Sequence, residues 1–65
     1  MKIKVLRERA GLTTAELARQ MGVDRAAAFR WEMGTAMPRA DKIPKLASLL
    51  GCTIDELFGL EQEGA

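Results

Sequence analysis

Apolar positions recur at spacings of three and four residues along nearly the whole chain, and no stretch alternates with the period of two that marks a strand. The pattern predicts five helices. The first runs from about Lys2 to Ala10, with Ile3, Leu6 and Ala10 on one face, and Gly11 ends it in a left-handed turn. Thr13 is a good N-cap with Glu16 three residues on, the signature of a capping box. The second helix carries Ala15, Leu17, Ala18 and Met21 and stops at Gly22, with Val23 as an apolar residue in the turn. Asp24 caps a third helix that reaches about Met33 and ends at Gly34. Pro38 marks a loop. Asp41 is expected to cap a fourth helix carrying Ile43, Leu46, Ala47 and Leu50, with Pro44 in its first turn, where a missing N–H is tolerated. Beyond Gly51, Thr53 and Glu56 form a second capping box for a short fifth helix with Ile54, Leu57 and Phe58 on its apolar side. The expected architecture is all-α, a compact five-helix domain over residues 1–59 followed by a frayed tail, 60–65.

The second and third helices flank a tight Gly22-Val23 turn. Two helices joined by so short a turn lie roughly 90–120° apart, so the second can project into a major groove. At 100° per residue, Ala28 and Trp31 share one face of the third helix, with Ala27 beside them. The opposite face centres on Ala26 and Met33 and is flanked by Phe29 and Arg30, while Arg25 stands at the leading end. Arginine can pair bidentately with guanine O6 and N7, and alanine or phenylalanine can touch a thymine methyl.

Composition narrows the alternatives. A chain of 65 residues makes one domain, marginally stable by itself, so dimerisation has an energetic rationale. Aromatic residues make up only 5%, so the core must be aliphatic. Cys52 is the single cysteine, there is no histidine or tyrosine, and Ser48 is the one serine, which leaves little for a catalytic triad or a metal site. Neither enzyme activity nor a cofactor, metal or small-molecule ligand is expected. No apolar run is long enough for a membrane span or a secretory signal, so a cytoplasmic location is expected. The net charge is only +1, but its distribution is uneven. Residues 1–45 hold all ten Lys and Arg against five acids, whereas residues 46–65 hold four acids and no base. A basic body with an acidic end suits a protein that offers one face to a polyanion.

The ordered series Leu6-Arg7-Glu8, Gly11-Leu12-Thr13, Glu16-Leu17-Ala18, Gly22-Val23, Arg30-Trp31-Glu32, Gly34, Pro38, Leu46-Ala47, Leu50-Gly51 and Ile54-Asp55-Glu56-Leu57-Phe58 resembles the Cro and phage-repressor (XRE-type) helix-turn-helix family. The resemblance covers about Lys2 to Phe58. It implies a bacterial or phage-encoded regulator of transcription, such as a repressor, that binds double-stranded DNA with its third helix. It also implies base reading by Arg25, Ala26 and Arg30, phosphate or backbone contacts from Thr13, Thr14 and Arg39, and an ion pair between Arg7 and Glu32. Phe29 and Met33 join the expected DNA face. Thr14, Ala26, Ala27 and Met33 stand where the family commonly has polar residues, so the reading face has few hydrogen-bonding groups beyond its arginines.

Trp31 is expected in the core because it shares a face with Ala28, and Cys52 is expected as a small buried hydrophobe. Met33 and Met37 are expected to pack in the loop. Leu57 belongs to the core, while Phe58 and Leu60 are open between core and a weak homodimer seam formed by Ile54 to Leu60. The alternative function is a protein-interaction module or antitoxin on the same scaffold, burying Ala26, Phe29 and Met33 against another protein.

Overall fold

A computed structural model describes residues 1–60 and gives α1 Ile3–Arg9, α2 Thr14–Met21, α3 Arg25–Met33, α4 Ile43–Leu50 and α5 Ile54–Phe58, with a 3-10 turn at Ala40–Lys42. No strand occurs among the described residues. Residues 61–65, most of the expected frayed tail and including Glu61 and Glu63, lie outside them.

One device opens three of the helices. The Thr13 hydroxyl accepts the Glu16 N–H at 3.0 Å, Asp24 Oδ1 accepts the Ala27 N–H at 2.8 Å, and the Thr53 hydroxyl accepts the Glu56 N–H at 3.0 Å. In the two threonine caps the glutamate returns a bond to the cap's own N–H, at 2.8 and 2.9 Å. Each cap satisfies donors that a helix start otherwise leaves open, typically worth ~1 kcal/mol.

The fourth helix begins differently. Asp41 does not cap it; the chain enters through the 3-10 turn, closed by the Lys42 N–H on the Arg39 carbonyl at 2.9 Å, and α4 starts at Ile43. The physical reason is Pro44. The other caps all bond the N–H three residues ahead, and for Asp41 that residue is a proline, which has none.

The core draws on every helix. Ile3, Leu17, Met21, Leu46 and Leu57 are almost wholly enclosed, joined by Leu6, Ala18, Ala28, Trp31, Ile43, Ala47 and Leu50. Each fully buried aliphatic side chain of this size contributes about 1.5–3 kcal/mol relative to exposure. Ala10 and Ala15, expected in the apolar stripes, are exposed. Ala10 falls one residue past the end of α1, and Ala15 lies well round α2 from Leu17, Ala18 and Met21. Cys52 is half-buried against the core rather than enclosed. Met33 and Met37 do not pack in the loop as expected, being 48% and 64% exposed; Ala36 and buried Pro38 do the packing there. On α5 only Leu57 is buried, while Ile54 and Phe58 face outward.

The start of α1 is tied to α5 by the Lys2 N–H on the Leu57 carbonyl at 2.9 Å. No helix among the described residues is long and apolar enough to cross a membrane.

Candidate nucleic-acid interface

The turn between α2 and α3 is set by Gly22, at φ +72°, a conformation that costs an L side chain roughly 1–2 kcal/mol. The Val23 N–H reaches back to the Ala18 carbonyl at 3.0 Å and the Gly22 N–H to Arg19 at 3.2 Å, so the carbonyls at the end of α2 stay satisfied while the chain reverses. Val23 packs on the core, and Asp24 at once caps α3. Ala28, with no exposed surface, and Trp31 seat the inner face of α3.

The outer face of α3 is then fixed. Arg25, Ala26, Phe29, Arg30 and Met33 are all exposed, Phe29 by 53%. Arg25, Ala26 and Phe29 line one shallow depression at the leading end. Neither Arg25 nor Arg30 forms an ion pair among the described residues. The two acids nearest in sequence are engaged elsewhere: Asp24 caps the helix, and Glu32 is turned into the protein.

Glu32 is the hub of the scaffold behind this face. Its carboxylate accepts from Arg7 Nε at 2.8 Å, Arg7 Nη2 at 3.3 Å and the Thr14 hydroxyl at 3.1 Å. Arg7 also donates through Nη1 to the Leu12 carbonyl at 2.6 Å. The Glu32 side chain is 2% exposed and that of Arg7 11%, so this pair joining α1 to α3 is sheltered from water. Through Thr14 it also fixes the start of α2.

That bond adds to the role of Thr14. Its hydroxyl donates to Glu32 at 3.1 Å, so the side chain that the resemblance assigns to a phosphate or backbone contact also braces the scaffold behind α3. The sequence held a signal for this: at 100° per residue Thr14 shares the buried face of α2 with Leu17, Ala18 and Met21. What α2 presents outward is its backbone. The N–H groups of Thr14 and Ala15 have no acceptor among the described residues, and Thr13 is exposed beside them. Thr13 also acts on Glu16: its backbone N–H, and then its hydroxyl, hold the Glu16 carboxyl below its ordinary pKa. Arg39 projects into solvent after α3, its guanidinium 3.8 Å from the equally exposed Asp41, a contact worth little. The described residues hold no cluster of three or more groups able to bind a metal ion.

Two short helices crossing at a glycine turn, the second with a free cationic outer face, define a helix-turn-helix domain. The chain belongs to the helix-turn-helix family of Cro and phage-repressor type, whose pattern it matches over residues 3–57. It is similar to the HTH-type transcriptional activator BcrR of Enterococcus faecalis, 34% identical over 61 residues. That match takes in 94% of this chain, which spans 30% of the relative's length. The domain is thus of the DNA-binding helix-turn-helix class.

Proposed function

We propose that this domain binds double-stranded DNA sequence-specifically, with α3 in the major groove, as the DNA-binding part of a transcription regulator. The observation that carries the proposal is the pair Arg25 and Arg30, unpaired and exposed on a helix whose other side is locked into the core. Arg25 enters first and Arg30 follows about one and a half turns later, each able to grip guanine O6 and N7. Ala26 sits between them and permits close approach, with Phe29 and Met33 on the flank. The free N–H groups at the start of α2, beside Thr13, receive one phosphate, favoured by the helix dipole. Arg39 takes the backbone on the far side of α3.

One helix covers few base pairs, so the working unit is proposed to be a weak twofold dimer on half-sites about 34–36 Å apart. The proposed seam is α5 and its edge, where Ile54, Phe58 and Leu60 are exposed by 42%, 40% and 54%. The relative is an activator by name; activators and repressors share the DNA-binding step, and the reading extends to that step.

The test is binding of labelled duplex across a salt series. Release of counterions makes log affinity fall with log salt at a slope of about −0.9 per phosphate neutralised, so six or more contacts give a steep decline. Binding that ignores salt, or a salt-tolerant complex with another protein through Ala26, Phe29 and Met33, contradicts the proposal and favours an interaction module.

A further inference from the structure

We propose that Phe29 is a specificity-determining residue that reads the C5-methyl group of thymine in the major groove, so that the preferred half-site pairs guanine with a methyl-bearing pyrimidine. This rests on the reading that α3 enters the groove, and it deepens it by naming the chemistry recognised.

The argument starts from what the outer face of α3 lacks. Adenine is usually read by Asn or Gln, and the cytosine amino group by a carboxylate. No Asn, Gln, Ser, Thr or His lies in Arg25–Met33. The one carboxylate in the helix, Glu32, is buried under three donors, and that of Asp24 holds the Ala27 N–H. Just past the helix, the Thr35 hydroxyl leans back on the Arg30 carbonyl at 3.4 Å. Two recognition chemistries remain on this face: guanidinium to guanine, and apolar surface to apolar surface.

Phe29 supplies the second. It is half-exposed in the same depression as Arg25 and Ala26, and leaving an aromatic ring in water is unfavourable. What covers it is decided by its neighbours. Free guanidinium groups at Arg25 and Arg30 stand to either side, so the occupant carries negative charge and presents a small apolar group between its acceptors. In the major groove of a duplex that group is the thymine methyl. Arg25 and Phe29 are four residues apart, about 6 Å along the helix axis, which is close to two base-pair steps. The guanine and the thymine therefore fall within about three base pairs of each other.

The experiment begins with sequences selected by the protein from random duplexes, then replaces each thymine of the selected half-site by uracil, which removes only the methyl. At one position affinity is expected to fall about fourfold, the value of one buried carbon (~0.8 kcal/mol) at 1.4 kcal/mol per tenfold. In Phe29→Ala that uracil penalty shrinks below about twofold, while Phe29→Leu, still apolar, retains most of it. At the same position 5-methylcytosine binds better than cytosine by a similar factor. Tight, selective binding with no uracil penalty overturns the proposal and leaves DNA recognition standing. A penalty unchanged in Phe29→Ala overturns the role of Phe29. Failure to bind any duplex overturns both this inference and the function it rests on.

Discussion

Replacing Glu32 by alanine removes the acceptor of three hydrogen bonds in a site almost closed to water. Arg7 then remains charged, with a side chain only 11% exposed. Removing one partner of a buried pair typically costs 3–5 kcal/mol. Two features soften this: Arg7 keeps the Leu12 carbonyl, and its Nη2 already lies 4.0 Å from exposed Glu8. The expected loss for Glu32→Ala is therefore about 3 kcal/mol, with a similar loss for Arg7→Ala. Thr14→Val, which deletes a hydrogen bond to a charged group, is expected to cost about 1.5–3 kcal/mol. A domain of this size loses about 4–8 °C of Tm per kcal/mol, so Glu32→Ala should melt more than 10 °C early. Urea denaturation followed by the fluorescence of Trp31, the single tryptophan and a core residue, provides the assay. In the double mutant the losses should overlap by about 2 kcal/mol, because the second deletion removes a charge the first had stranded. Losses that add within about 0.5 kcal/mol refute the coupling and with it the account of how α1 holds α3.

Three further outcomes follow from the geometry. Glu16 titrates below its ordinary value because of the Thr13 N–H, so its contribution is present above the usual carboxylate range and is lost as pH falls through the lowered folded value. Glu16→Gln keeps an acceptor for Thr13 but cannot titrate, and its stability should fall less steeply than wild type below about pH 4; identical acid limbs contradict this. Gly22→Ala meets no atom at its new Cβ, so its cost is backbone strain alone, about 1–2 kcal/mol in thermal melts, and a neutral result argues against the left-handed turn. Self-association through Phe58 opposes like-charged acids, so sedimentation should show it strengthening as salt screens them within a Debye length of about 10 Å at 0.1 M. Phe58→Ala should abolish that association, and a monomer at every salt concentration rules the seam out.

Helix boundaries were legible because each depends on chemistry within four residues. Thr13, Asp24 and Thr53 cap where a side-chain oxygen meets an N–H three places ahead, and a glycine adopts the left-handed turn after each of α2, α3, α4 and α5. Asp41 misled for the same local reason, since the required N–H is absent at Pro44. The outward face of α3 followed from its angle to Ala28 and Trp31. What escaped was information held between elements. The bond from Thr14 to Glu32 spans 18 positions in sequence, and the inward angle of Thr14 was its one local trace. Met37 is exposed between Ala36, which packs on the core, and buried Pro38, a loop arrangement that periodicity cannot express.

The central claim, that α3 reads bases, is tested most directly by selecting bound sequences from random duplex DNA with the wild type and with Arg25→Ala and Arg30→Ala. The account predicts a palindromic consensus with guanine in each half-site for the wild type. Each variant should lose about 1–3 kcal/mol on that site and relax at one guanine position, with far smaller losses on unrelated sequence. Enrichment of no sequence by the wild type, or equal losses by the variants on every duplex, contradicts it and reduces Arg25 and Arg30 to phosphate contacts.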